Sequence, residues 1–228
     1  MIIFSCNGVL IDSMRIVADT AARMFADSGV SLNAVTYEKL SDGQCVARVC
    51  REYESRTGHN FKPSFASHAY SGIIHRFETE LHAVPHIGYA LSWLRDPKCV
   101  FSEWPKDVIR AGLESAGLAH FFARHRVVSF HDTGFEQPFF VLGKMLGIAP
   151  SRCILVCRSP ATIARATRSG LQTIGFAGHA EHSEEHERHL LAAGATAVIT
   201  DMRQLKQTVV DLQQPHHTRM QAASAGWC

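Results

Sequence analysis

Short apolar runs alternate with helical periodicity along most of the chain. Between the runs, apolar residues recur at helical spacing, as Ile109, Leu113 and Ala116 do. Strands that alternate with helices are typical of a parallel sheet covered by helices on both faces. The pattern therefore predicts an α/β fold with a doubly wound parallel sheet. The predicted strands are residues 1–4, 99–102, 127–129, 153–157, 171–176 and 197–200.

The stretch 14–84 departs from this alternation because it contains helical patterns only. Val17, Ala21 and Phe25 form one apolar face, and no strand-like run appears before Pro85. We therefore predict an all-helical insert at 14–84 between two parts of one core, 1–13 and 85–212. Residues 213–228 are expected to form a flexible tail.

Composition and charge narrow the class of protein without naming a partner. The 228 residues are 46% hydrophobic, and 23 basic and 21 acidic side chains give a formal net charge of +2. The two signs are well mixed, which argues against a nucleic-acid partner. No apolar run approaches the roughly 20 residues of a membrane span, so a cytoplasmic location is expected. Seven cysteines with no CxxC pair favour reduced thiols over a disulfide framework.

The first predicted strand runs into a glycine turn that carries two unexpected residues. Ser5 and Asn7 flank Cys6, and the turn continues as Gly8-Val-Leu-Ile-Asp12-Ser13. This segment resembles the opening motif of the haloacid dehalogenase (HAD) superfamily, in which two aspartates stand where Ser5 and Asn7 stand here. The resemblance implies a Rossmann-like core with an inserted helical cap. Within the superfamily it points to the sugar-phosphate phosphatases, similar to β-phosphoglucomutase and 6-phosphogluconate phosphatase.

Three further motifs of that family can be placed on this sequence. Ser102 ends a predicted strand, as the second motif requires. In the third motif Gln137 stands before Pro138 where the family has a lysine. In the fourth, Arg158 takes the place of a metal-binding aspartate, just before Ser159-Pro160, a strong signal for a helix start.

These replacements remove the chemistry that the resemblance implies. In the family one aspartate attacks phosphorus, a second acts as acid and base, and Mg²⁺ screens the anions. Asn7 has no proton to donate at neutral pH, and nothing near Ser5 in the sequence deprotonates its hydroxyl. Mg²⁺ prefers carboxylate ligands, and Arg158 would repel it. We therefore predict no catalytic residue, no cofactor and a catalytically inactive protein.

The residues at the four altered positions instead favour the binding of an anion. The family residues at Ser5, Asn7, Gln137 and Arg158 sum to a charge of −2, whereas the four residues here sum to +1. A guanidinium binds phosphate oxygens through paired hydrogen bonds. We expect Ser5, Asn7, Gly8, Ser102 and Arg158 to bind phosphate or a small phosphorylated metabolite without metal. The protein would then act as a sensor, a regulator or an interaction module with a protein partner.

Several alternatives stay open at this stage. Ser5 and Asn7 can reflect drift that left only a structural, partner-binding scaffold, and Ser102 can be a helix cap. Arg158 can point outward or pair with Asp12. Alternatively, the protein is a phosphomonoesterase of small phosphorylated metabolites, with Ser5 as nucleophile and His131 or a cap histidine as base.

Two further groups of residues could carry chemistry. Cys6 and Cys157 neighbour the altered positions, but alternation along a strand should turn them away from the site and into the core. His182, His186 and His189 share one helical face and could chelate Zn²⁺ or Ni²⁺. This stretch is rich in glutamate, so a solvated helix face is the simpler interpretation.

Overall fold

The computed structural model describes residues 1–41, 43–178 and 183–214 and contains a six-stranded parallel sheet. Its strand order is β3-β2-β1-β4-β5-β6, with every neighbouring pair parallel. The chain thus winds outward from β1 in one direction and from β4 in the other, which confirms the predicted doubly wound α/β class. The strands are β1 (Ile2–Phe4), β2 (Lys98–Ser102), β3 (Val127–Ser129), β4 (Ile154–Cys157), β5 (Gln172–Phe176) and β6 (Ala197–Ile199).

Of the helices between β1 and β2, we refer to the first four as the cap. They are α1 (Met14–Asp27), α2 (Ala34–Ser41), α3 (Val46–Thr57) and α4 (Phe65–Glu80). The remaining helices cover the sheet: α5 (Ile87–Trp93), α6 (Lys106–Ser115), α7 (Phe130–Thr133), α8 (Pro138–Leu146), α9 (Pro160–Arg168), α10 (Ser183–Ala192) and α11 (Leu205–Gln213). Directly before α11, residues 202–204 form a 3₁₀ turn capped by Asp201.

The strands are buried on both faces, and their alternate side chains enter two different apolar clusters. Ile2 and Phe4 pack in the cluster that includes the cap, whereas Ile3 packs in the cluster beneath α8 and α9. Period-two alternation explains this division. The strands of a parallel sheet that is covered on both faces are continuous apolar runs. For this reason the strands can be recognised in the sequence.

The two linkers between core and cap run side by side at the end of β1. The Asp12 amide donates to the His82 carbonyl at 2.9 Å, and the Val84 amide donates to the Leu10 carbonyl at 3.0 Å. The cap therefore leaves and rejoins the core at one place. At the other end of the chain, residues 215–228 of the predicted tail lie outside the described residues.

None of the described helices is long and apolar enough to cross a membrane. The expected cytoplasmic location stays a prediction.

Candidate functional site

The turn after β1 is shaped by one glycine. The Ser5 amide donates to the Val156 carbonyl at 3.0 Å and extends the sheet by one residue, after which the Gly8 amide closes the turn onto the Ile11 carbonyl at 2.8 Å. Gly8 has φ +69°, and a Cβ at this position would overlap Cδ of Arg158. Glycine is therefore required for both its backbone conformation and the close approach of the arginine.

Arg158 follows β4 and lies across this turn. Its Nη1 is 4.0 Å from Oε1 of Glu38 in α2, and its side chain is 18% exposed. Asp12, the partner considered from the sequence, is exposed, and Glu38 is the carboxylate that approaches this guanidinium in the described structure. Arg158 thus spans from the core turn to the cap.

One small cavity brings most of the predicted phosphate-binding residues together. Ser5, Asn7, Ser102 and Arg158 all line it, and Gly8 lies directly under the Arg158 side chain. The cavity has a volume of about 30 Å³, close to the space of one water molecule. Oγ of Ser5 is buried and has no hydrogen-bond partner within the described residues. The remaining lining residues are Cys6, Gly43, Phe101, Glu103, Phe130, Cys157, Ser159 and Thr162.

The position of the cavity follows from the sheet topology. β1 and β4 are neighbours, and the strand order reverses between them. In open α/β sheets the crevice outside the carboxyl ends of such a strand pair is the usual ligand site. Ser5 and Arg158 are the first residues after these two strands, so both side chains begin at the edge of that crevice.

Two residues considered from the sequence lie outside the cavity lining. Gln137 is exposed at the start of α8, where it lines a separate open groove of about 460 Å³. His131 is exposed on α7, and its ring packs against Phe135. The Ser129 hydroxyl and the Asp132 carboxylate cap α7 directly after β3, and this fixes the direction in which the segment leaves the sheet. His131 is therefore poorly placed to act as a base for Ser5.

The structure adds three charged residues that sequence reasoning missed. Oε1 of Glu103 accepts hydrogen bonds from Nη1 of Arg48 at 3.0 Å and from Nη1 of Arg165 at 3.2 Å. Arg165 also donates to the Phe135 carbonyl and lies over the Phe130 ring, 5.3 Å from its centroid. Burial lowers the pKa of Arg165, and the Glu103 charge opposes this effect. The available signal was the position of Glu103 directly after Ser102, at the end of a predicted strand.

The cysteines near the altered positions are buried thiols that also contribute to the cavity wall. Cys6 and Cys157 are 1% and 2% exposed. Their presence in the lining corrects the expectation that strand alternation turns them away, because Cys6 belongs to the turn and not to β1. Burial raises the pKa of the Cys6 thiol to about 12, so it is not an activated nucleophile at neutral pH.

The donor set does not fit Mg²⁺. Within the described residues no three His, Cys, Asp or Glu side chains are grouped so that they could hold a metal ion. The carboxylate in the cavity wall, that of Glu103, already accepts from two arginines. Mg²⁺ binds through carboxylates in near-ideal octahedral geometry, which a hydroxyl, an amide and a guanidinium do not supply.

Only two of the three histidines of the predicted metal chelate lie within the described residues. His182 lies outside the described residues, whereas His186 and His189 lie in α10. His186 is half-buried, and burial, followed by the positive charge of Arg158, lowers its pKa.

Comparison with known proteins shows what this chain is similar to. The chain is 25% identical to 6-phosphogluconate phosphatase from Escherichia coli over 180 residues, which cover 77% of this chain and 81% of the relative. The crystal structure of a haloacid dehalogenase-like protein of unknown function from Agrobacterium tumefaciens superposes with a TM-score of 0.72 at 26% identity, covering 93% of this chain and 98% of that one. In sequence and in fold, the chain resembles the haloacid dehalogenase superfamily.

A further solved structure shares the fold. A HAD family hydrolase from Deinococcus radiodurans, solved with bound phosphate and sodium, shares the fold with a TM-score of 0.68 at 20% identity, over 92% of this chain and 95% of that one. No protein-family model matches the sequence. The predicted resemblance to the sugar-phosphate phosphatase-like HAD subgroup with a helical cap is confirmed.

Proposed function

We propose that this HAD-like protein binds phosphate or a sugar phosphate in the β1–β4 crevice without metal and without turning it over. The observation that carries the proposal is the place of Arg158 in the cavity wall, beside Ser5, Asn7 and Ser102. The family's three aspartates at positions 5, 7 and 158 carry −3, whereas Ser5, Asn7 and Arg158 carry +1. With this charge the crevice attracts an anion without a metal ion. The guanidinium of Arg158 supplies the positive charge that Mg²⁺ supplies in the family.

Hydrogen-bond donors around the arginine support the same ligand. The Ser102 hydroxyl accepts from the Trp104 amide at 3.3 Å, so its proton is free to be donated. Ser5 has a buried hydroxyl without a partner in the described structure, and an anion would give it one. The relative named 6-phosphogluconate phosphatase makes a sugar phosphate the first ligand to test.

The absence of turnover is proposed from the functional groups. The Ser5 hydroxyl has no base within hydrogen-bonding distance in the described residues, and the Asn7 amide cannot protonate a leaving alkoxide. Oε1 of Glu103 already accepts from two arginines, and their positive charges make this carboxylate a poor proton acceptor.

Equilibrium binding with and without the arginine tests the proposal. Titration with inorganic phosphate and with 6-phosphogluconate, in the presence of EDTA, should show binding to the native protein. Arg158→Ala should lower the affinity about 10- to 100-fold, the range expected for charge-assisted hydrogen bonds. The control is Arg152→Ala, which removes an equal charge at the opposite end of β4. Equal affinity in the two variants, or no binding to the native protein, would overturn the proposal.

The second candidate is a phosphomonoesterase that uses an unorthodox site. The comparisons favour it more directly than they favour inactivity, because the curated relative is named as a phosphatase. A panel of sugar phosphates with Mg²⁺ separates the two candidates when run beside S5D/N7D, which restores both aspartates. Phosphate release by the native protein at rates ordinary for a phosphatase would establish the second candidate. If neither binding nor release occurs, a structural partner-binding role becomes the better explanation.

A further inference from the structure

Two arginines of α9 line the open groove in which Gln137 lies. Arg165 and Arg168 are three positions apart on this helix, so they lie on one face of it. The groove is formed by residues 136–140 at the start of α8 and by Arg165, Arg168 and Ser169 at the end of α9, and we call it the α8–α9 groove. Its volume is about 460 Å³. Ligand pockets commonly measure about 300–1,000 Å³, so the groove is large enough for a metabolite.

The positive charge in the groove is only partly compensated. Arg165 shares the Glu103 carboxylate with Arg48, so one negative charge serves two guanidiniums. Arg168 forms no ion pair with the described residues, and Glu136 is the one carboxylate among the described residues of the lining. Burial lowers the pKa of Arg165, and the charges of Arg48 and Arg168 lower it further. An anion in the groove would relieve this repulsion.

Arg165 has hydrogen-bond donors left for such an anion. A guanidinium carries five N–H donors. In Arg165, Nη1 donates to Glu103 and Nη2 donates to the Phe135 carbonyl, so the other N–H groups have no partner within the described residues. The side chain is 21% exposed, which keeps these donors accessible from the groove. Because the two hydrogen bonds already hold the guanidinium in place, little side-chain entropy is lost when an anion binds.

An aromatic ring forms the apolar wall of the groove beside the arginines. Phe140 lines the groove and is 47% exposed, whereas its neighbour Phe139 is buried in the core. Nζ of Lys144, which lies four positions further along α8, is 4.5 Å from the centre of the Phe140 ring and adds a third positive charge near it. An accessible ring next to guanidinium groups can stack on a planar group while the arginines bind an attached phosphate.

We propose that the α8–α9 groove is a second binding site, which takes an organic phosphate that carries a planar ring, as a mononucleotide does. Arg165 and Arg168 bind the phosphate, and Phe140 stacks on the ring. The exposed amide of Gln137 caps no helix, so it is free to donate to and accept from polar groups of the ligand. The proposal does not rest on the proposed function, because the groove and the β1–β4 crevice share none of their described lining residues.

Equilibrium dialysis with AMP, in the presence of EDTA, tests the site. The native protein should bind AMP, and Arg168→Ala should lower the affinity about 10- to 100-fold, the range expected for charge-assisted hydrogen bonds. Phe140→Ala should lower the affinity about tenfold, because stacking on the ring is lost. Both side chains are exposed, so both variants should fold as the native protein does.

Two control variants assign the binding to the groove. Arg158→Ala removes the arginine of the crevice, and Arg188→Ala removes an exposed arginine of α10; both should bind AMP with native affinity. The second site is wrong if the native protein does not bind AMP, if Arg168→Ala or Phe140→Ala binds it as the native protein does, or if Arg158→Ala weakens binding as much as Arg168→Ala. Failure of phosphate binding in the titrations above, with AMP binding that depends on Arg168, would remove the proposed function and leave the second site.

Discussion

The two halves of the sheet's carboxyl edge differ in how their polar groups are satisfied. At the ends of β2 and β3, the Ser129 hydroxyl donates to the Trp104 carbonyl at 2.7 Å. Nζ of Lys106 lies 2.9 Å from the Asp132 carboxylate. Hydrogen bonding to Lys106 and to the Ser129 amide outweighs burial and lowers the pKa of Asp132. These contacts hold the structure together, although Ser102 at the end of β2 lines the cavity and the indole nitrogen of Trp104 has no partner within the described residues.

At the ends of β1 and β4 the polar groups face a cavity instead. Ser5 has a buried hydroxyl without a partner in the described structure, and Arg158 reaches its cap carboxylate only at 4.0 Å. A buried hydroxyl without a partner is costly for folding, so the Ser5 side chain points to a site for something that is bound. The comparison therefore separates a structural half from a half available for function. The predictions below test this separation by stability.

The largest effect is expected at the structural half. Trp104 is 2% exposed and packs on Tyr70 of the cap. Trp104→Ala should lower the free energy of unfolding by about 3–5 kcal/mol, because it opens a large cavity between core and cap. Urea denaturation measures the change. Trp93→Ala is the control, since that side chain is 52% exposed, and its loss should stay under about 1 kcal/mol. Similar losses in the two variants would contradict the structural role of this half.

A smaller effect is expected at the turn that supports Arg158. Gly8→Ala combines a left-handed backbone with an overlap of its Cβ and Arg158, whereas Gly117→Ala has φ +70° but no atom within 4 Å of its Cβ. Urea denaturation should give a loss of about 1 kcal/mol for Gly117→Ala and about 2–3 kcal/mol for Gly8→Ala.

A double-mutant cycle tests whether Arg158 causes the larger loss of unfolding free energy in Gly8→Ala than in Gly117→Ala. In an Arg158→Ala background the overlap is absent, so the cost of Gly8→Ala should fall to that of Gly117→Ala. If Gly8→Ala costs the same with and without Arg158, the guanidinium does not lie across the turn as described.

The framework of the site could be predicted from the sequence because it depends on sheet topology. Carboxyl ends of adjacent parallel strands meet at one edge, so residues that directly follow β1, β2 and β4 must be neighbours. The family motifs put Ser5, Ser102 and Arg158 at the ends of these three strands, and the cavity lining contains all three. Local signals gave the helix start at Ser159 and Pro160, where the Ser159 hydroxyl accepts from the Thr162 amide.

The side-chain contacts of the site that depend on how the helices pack could not be predicted from the sequence. The contact between Arg48 and Glu103 joins residues 55 positions apart across a cap whose helix packing has no sequence signal. Gln137 was placed by its motif alone, and the exposed start of α8 removes it from the cavity. Periodicity predicts which faces are buried, but it does not predict which long polar side chains meet between two packed units.

The smallest effect is expected for two serines at the carboxyl ends of β1 and β3. Ser129→Ala removes both a hydrogen bond to the Trp104 carbonyl and the cap of α7, and it should cost about 1–2 kcal/mol of unfolding free energy. Ser5→Ala removes a hydroxyl without a partner in the described structure, so it should change stability by no more than about 0.5 kcal/mol. Thermal and urea denaturation of the matched pair measure the contrast. A loss at Ser5 as large as that at Ser129 would mean that the Ser5 hydroxyl is already engaged in the fold, and the division between a structural and a functional half would then fail.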